Sequence, residues 1–145
     1  MIVRQPWRPG PEEAAPGPVL VSATRFDYRG RRYIPLVGYF AWRLRRAWGR
    51  RPGAVGLVVG GEALGPTTYS LSVWRAKDDL QRFLRSPEHA RLVRDFRDRL
   101  DASTAVTWET HERDPRALWN EGLRRLAERQ AVISPPVTAR ISPDT

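Results

Sequence analysis

The chain has 145 residues with 41% hydrophobic content, enough for one domain around one ordinary core. It has no cysteine, which excludes disulfide frameworks, thiolate metal sites and cysteine nucleophiles; its two histidines, His89 and His111, are too few for a self-contained zinc site. Its net charge of +9 invites a nucleic-acid partner, but 24 of its 25 basic residues are arginines scattered along the chain, so only the run RRYIPLVGYFAWRLRRAWGRR at 31–51 favours that partner and the composition argues against it.

Residues 1–18 hold five prolines and two glycines, which predicts an extended arm with Trp7 as its docking side chain. Neither a signal-peptide core nor a run of about 20 apolar residues is present, so the expectation is a soluble, cytoplasmic protein with no membrane partner. Val19 to Phe26 alternates as a strand, with Val21 and Ala23 opposed to Ser22, Thr24 and Phe26. A helix is predicted from about Pro35 to Trp48, on the stripe Val37, Phe40, Ala41, Leu44 and Trp48, and Gly49 and Pro52 stop it. Ala54 to Gly60 reads as a second strand, placing Val55, Leu57 and Val59 against Gly56, Val58 and Gly60.

Gly61 and the Gly65-Pro66 pair lead into a third strand, Tyr69 to Trp74, with Tyr69, Leu71 and Val73 on one side and Ser70, Ser72 and Trp74 on the other. Asp78 or Asp79 opens a helix lined by Leu80, Phe83, Leu84, Leu92, Phe96 and Leu100. Pro87 removes a helix hydrogen bond, so a break is expected there, with Ser86 capping the second half. Thr104 to His111 forms the fourth strand, and Pro115 to about Arg129 a last helix with Leu118, Trp119, Leu123 and Leu126 on one stripe. The order β-α-β-β-α-β plus a helix is ferredoxin-like, an α+β fold with a four-stranded antiparallel sheet and both long helices on one face. Residues 19–130 are expected as the single domain and 131–145 as a flexible proline-containing tail.

The two sides of this sheet are expected to differ. Val21, Ala23, Val55, Leu57, Leu71, Val73, Val106 and Trp108 make the side that helices cover. Ser22, Thr24, Phe26, Gly56, Gly60, Ser70, Ser72, Trp74, Thr107 and Glu109 make a small, polar side interrupted by two large aromatics. Exposed aromatics on such a side mark an interface or a ligand groove.

The stretch YSLSVWRAKDDLQRFLRSPEHARLVRDF resembles the dimeric α/β-barrel superfamily and its antibiotic-biosynthesis-monooxygenase-like members: a strand ending in Ser-x-Trp, an aromatic nine residues on at Phe83, then Ser86 and His89. The later VTWETHE is similar to a strand-four segment of an uncharacterised monooxygenase-like branch, with Trp108 in place of its histidine and Glu109 and Thr110 matching. The resemblance implies a homodimer that pairs its sheets through their polar faces, and cofactor-independent oxygenation of a hydrophobic or aromatic metabolite. A cyclase or isomerase of specialised metabolism, or a non-catalytic dimeric binding protein, is the alternative.

Trp74 is then the floor of a small-molecule pocket or a seal at the dimer seam. His89 moves a proton or caps the preceding structure, and Glu109, buried beside Trp74, acts as a base or pairs with an arginine. Ser70, Ser72, Thr24, Phe26 and Phe83 are the expected substrate-binding residues. Alignment with haem-degrading relatives puts Val93 at their axial histidine and Phe83 at their catalytic tryptophan, which argues against haem; His89 reaches an iron only through the kink at Pro87. No metal is expected, and no phosphate loop, dinucleotide fingerprint or nucleophile elbow is present.

Overall fold

A computed structural model describes residues 1–133, and the tail expected at 131–145 lies outside them from 134 on. The strands are β1 (Ile2–Arg4), β2 (Arg8–Pro9), β3 (Val19–Tyr28), β4 (Ala54–Glu62), β5 (Thr67–Trp74) and β6 (Leu100–Thr110). The helices are α1 (Ile34–Trp48), α2 (Lys77–Leu84), α3 (Pro87–Phe96) and α4 (Pro115–Ile133). All strand pairs are antiparallel, in the order β1-β4-β5-β3-β6, with β2 also pairing β4. The core is the expected ferredoxin-like β-α-β-β-α-β arrangement, and the sheet has six strands instead of four because the arm adds two.

Proline at 6, 9, 11, 16 and 18 forbids a long strand, but three residues and then two still find the edge of β4. Between them Trp7 lies over the sheet, donating its Nε1–H to Glu13 Oε2 at 2.7 Å. Arg113 fastens the rest of the arm, donating to the carbonyls of Glu13, Ala15 and Gly17. The helix break falls where proline demands it: α2 ends at Leu84, and the Ser86 hydroxyl accepts the His89 amide at 3.2 Å to start α3.

Both faces of the sheet are covered by this chain's own elements. On one, Val21, Ala23, Leu71, Val73 and Trp108 pack against Leu118, Trp119 and Leu126 of α4, with Trp7 at the margin. On the other, Leu57, Val59 and Trp74 pack against Trp48 of α1 and Leu80 of α2. Leu57 therefore lies opposite to where simple alternation puts it. A bulge between Ala54 and Gly56 makes Val55 an extra residue, so Ala54 pairs Trp74 and Gly56 pairs Val73, and every later β4 side chain changes side.

Two further expectations are corrected. The polar side is roofed by α1, α2 and α3, not by a twin copy. Gly56 and Gly60, expected on the polar side, face the arm and α4 instead: a Cβ at Gly56 would stand 1.8 Å from Trp7 Cζ2, and one at Gly60 2.6 Å from the Val3 carbonyl oxygen and 3.1 Å from Trp119 Cη2. These glycines admit the arm and α4.

Candidate functional site

Where α1, α2 and α3 cross the serine-bearing face they do not close on it. A cavity of about 850 Å³ lies between helices and sheet, within the range of small-molecule sites. Its floor uses the register of the whole sheet: Val3 pairs Gly61, Gly61 pairs Thr68, Thr68 pairs Phe26 and Phe26 pairs Ser103, one residue from each of five strands. All five line the cavity. Five strands about 4.8 Å apart make that row roughly 19 Å long, so the space is a trench across the sheet and not a round hole. A parallel row, Val59, Ser70 and Thr24, deepens it.

The walls are apolar. Val37, Phe40, Ala41 and Leu44 of α1 face Leu80, Phe83, Leu92 and Phe96 of α2 and α3. Small residues on the floor and large ones on the walls leave the space open, because serine and threonine side chains reach only about one atom beyond Cβ. One end is closed by an aromatic cluster, with Tyr28 edge-on to Phe96 at 5.9 Å and Phe40 edge-on to Phe96 at 5.3 Å. Burial pushes the Tyr28 phenol above its ordinary value, partly offset by a hydrogen bond with Thr68. Tyr28, Phe40 and Val59 are site residues the sequence reading missed. Tyr28 continues the Ser22, Thr24, Phe26 alternation by one step, and that signal could have found it.

Of the expected substrate-binding residues, Thr24, Phe26, Ser70, Ser72 and Phe83 all line the trench, and so does His89. His89 stands in the first turn of α3, edge-on to Phe83 at 5.2 Å. Its Nδ1–H donates to the Leu84 carbonyl at 3.2 Å, the tautomer that leaves the lone pair on Nε2. Burial holds the imidazole below its ordinary value; the Leu84 hydrogen bond opposes this and the Arg51 charge adds to it. Arg51 is close by, its guanidinium 4.6 Å over the Phe83 ring and Nη2 2.9 Å from Glu88 Oε2. His89 is thus held neutral near pH 7 in a fixed orientation, which suits a base.

Trp74 and Glu109 stand elsewhere. Trp74 is fully buried: Trp48 lies edge-on to it at 5.1 Å and Phe83 leans on it at 5.3 Å. It does not form the floor and faces no dimer seam, because α1 and α2 bring these rings to it. Its Nε1–H donates to Ser72 Oγ at 2.9 Å, so the indole fixes a neighbouring hydroxyl of the same face. Glu109 is exposed on β6 and does not line the trench; the expected burial beside Trp74 is absent because β3 lies between their two strands, with Leu20 paired to Trp74 on one side and to Glu109 on the other.

Val93, at the position the resemblance gives to an axial ligand, has an alkyl side chain that offers an iron no donor. Among the described residues no cluster of three metal-ligating side chains occurs, and no helix is long and apolar enough to cross a membrane.

No protein-family model and no curated protein matches the chain. Solved structures do. SnoaB, a cofactor-independent oxygenase from Streptomyces nogalater, is 20% identical over 67% of this chain and 97% of its own, with a TM-score of 0.55. A dimeric ferredoxin-like protein of unknown function from Thermobifida fusca is 13% identical over 65% of this chain and 92% of its own, TM-score 0.54. A Lactobacillus acidophilus NCFM protein provisionally named a monooxygenase is 8% identical over 61% of this chain, TM-score 0.54, and this chain spans only 43% of its length. At these identities the fold is shared.

Proposed function

We propose that the chain is a small-molecule enzyme that binds an elongated, largely apolar, hydroxyl-bearing metabolite in the trench and oxygenates it without a cofactor. The observation that carries this is the trench itself: a hydroxyl floor, apolar walls and one oriented, neutral imidazole. The cofactor-independent oxygenase among its structural neighbours supports the choice of reaction. His89 Nε2 takes a proton from an activated C–H bond, leaving a substrate carbanion. That carbanion is the reductant: it combines with dioxygen, a C–O bond forms, and the proton returns from Nε2 to the distal oxygen to give a hydroperoxide. Atoms and electrons balance between substrate and dioxygen alone. A bound substrate displaces water from between the α1, α2 and α3 walls, which strengthens the hydrogen bonds that Ser70 and Thr24 offer to substrate oxygens.

The dimeric neighbour supports a homodimer. Since both faces of the sheet are covered, pairing across the outer edge of β6 is an arrangement that leaves both coverings in place.

The test uses 1,8-dihydroxyanthrone, a planar molecule with an acidified C–H bond, and the corresponding anthraquinone as an unreactive binding probe. Saturable quinone binding, anthrone loss matched by oxygen uptake, and a rate loss of about 100-fold or more in His89→Gln with binding kept are expected. Turnover without oxygen uptake favours the cyclase or isomerase reading, and binding without turnover a carrier. A wild-type rate in His89→Gln sinks the assigned role.

A further inference from the structure

The outward side of α1 carries a feature that the trench does not use. Between Asp27 and Glu62 the sequence holds eight arginines and no acidic residue. On α1, Tyr39 and Trp42 are 52% and 53% exposed and stack on each other at 6.3 Å with an interplanar angle of 27°. Arginines lie on both rings, Arg43 5.9 Å from the Tyr39 centroid and Arg46 5.3 Å from that of Trp42. Trp42 also borders the trench, as do Leu84 and Val93, each 46% exposed, on the opposite wall. The trench mouth is therefore rimmed by exposed apolar groups, with guanidinium groups outside them on α1.

We infer that this rim is a docking surface for an anionic lipid bilayer, lying in the headgroup layer with Trp42, Tyr39, Leu84 and Val93 dipped towards the acyl chains. Charge complementarity supports the assignment. Arg29 pairs Asp101 and Arg51 pairs Glu88, but Arg43, Arg45 and Arg46 of α1 pair with no carboxylate among the described residues, so they gain from a negative headgroup layer, and long arginine stems let the charge stay in the headgroups while the rings sit deeper. A second copy docked through the same α1 face would set arginine against arginine. A nucleic acid would need the ring faces for base stacking, and those faces already hold guanidinium groups; Leu84 and Val93 offer a phosphate or a base edge nothing. Among the described residues no helix is long and apolar enough to cross a bilayer, and the mode inferred here is interfacial. Docked this way, the trench opens onto the phase in which apolar metabolites concentrate.

The test is sedimentation of the full chain with vesicles of phosphatidylcholine alone or with one quarter phosphatidylglycerol, at 50 and 150 mM salt, with no small molecule present, so that its outcome is independent of the trench chemistry. Binding only to the anionic vesicles, weakened by salt, is expected. The Arg43→Gln/Arg46→Gln pair should weaken it roughly 25-fold, from about fivefold per surface cation. Tyr39→Ser/Trp42→Ser should weaken binding at both salts, and unfolding midpoints equal to wild type show that each variant is folded. No anionic-vesicle binding, equal binding to both vesicles, unchanged binding in both variants, tighter binding to a single-stranded 12-mer RNA than to vesicles, or a wild-type dimer that Tyr39→Ser/Trp42→Ser dissociates would each overturn the assignment.

Discussion

Two serines on β5, two residues apart and on the same face, should respond to enlargement with opposite signs. Ser70 lies mid-floor, between Val59 and Thr24 in register, and lines the trench. Ser70→Leu puts three carbons where a hydroxyl was, worth about 2.4 kcal/mol at about 0.8 kcal/mol per buried carbon. The trench is open on one side, so about half of this is realised, and immobilising the leucine costs about 0.5–1 kcal/mol. The net is between 0 and about +1 kcal/mol, up to roughly 4 °C in melting temperature. Ligand binding should fall sharply at the same time, because the new side chain fills the space.

Ser72 behaves differently because its hydroxyl accepts the Trp74 Nε1–H. Ser72→Leu leaves that buried donor unpaired, at about 1–3 kcal/mol, and crowds an indole already held by Trp48 and Phe83. Urea midpoints of the two variants beside wild type decide the matter. If Ser70→Leu destabilises by 1–3 kcal/mol, as overpacking a closed core does, the trench is filled in solution and the functional reading built on it fails.

Trp7→Ala should destabilise by about 2 kcal/mol, below the range for a fully buried tryptophan because this ring is half-buried, with faster amide exchange in β1 and β2 as the accompanying sign. Gly53→Ala should cost at least about 1–2 kcal/mol, since φ is +77° there and the new Cβ would stand 2.1 Å from the Asp79 carboxyl carbon; Gly38→Ala, with nothing near it on α1, should gain about 0.5–1 kcal/mol by the same melting assay. His89 has a folded-state pKa below its unfolded value, so the unfolded chain takes up the proton first as pH falls. Its contribution to stability is therefore constant above about pH 6.5 and declines below that until the folded group also titrates. His89→Gln should flatten that part of the stability profile, and the acid limb of any turnover should have its midpoint below 6.5.

The element order was legible because each signal was local. Alternation in Val19 to Phe26 and Tyr69 to Trp74, and Pro87 following Ser86, act within a few residues, and the elements form there. Which β4 residues share the site's side of the sheet, and what covers that side, were not legible, for two physical reasons. A single bulged residue, Val55, reverses side-chain parity along the rest of β4 without changing its composition. Alternation also says which residues share a face but not what covers it, and here both faces are covered. Trp74 looked exposed among serines because the rings that bury it, Trp48 and Phe83, come from helices and not from its own strand. The arm's place over Gly56 depends on a fit between Trp7 and a residue about fifty positions away, which no local pattern records. His89 was found because a lone imidazole beside a helix break is conspicuous wherever the helix lies.

The two coverings also explain why the chemistry belongs where it does. Against the α4 side the sheet presents valine, leucine, alanine and tryptophan, which reach across the layer; a Cβ added to Gly122 of α4 would meet Leu71 Cδ1 at 3.0 Å, and the space left beside Trp7, Val55, Val73 and Leu118 is only about 240 Å³, against about 850 Å³ in the trench. Against α1, α2 and α3 the same strands present serine and threonine, which are too short to fill a layer whose helices are held apart by Trp48, Trp74 and Phe96. Three large rings prop the roof, and small hydroxyl residues leave the floor low. The trench follows from that mismatch in side-chain length, and α4 with the docked arm supplies the packed half of the molecule that lets the other half remain open.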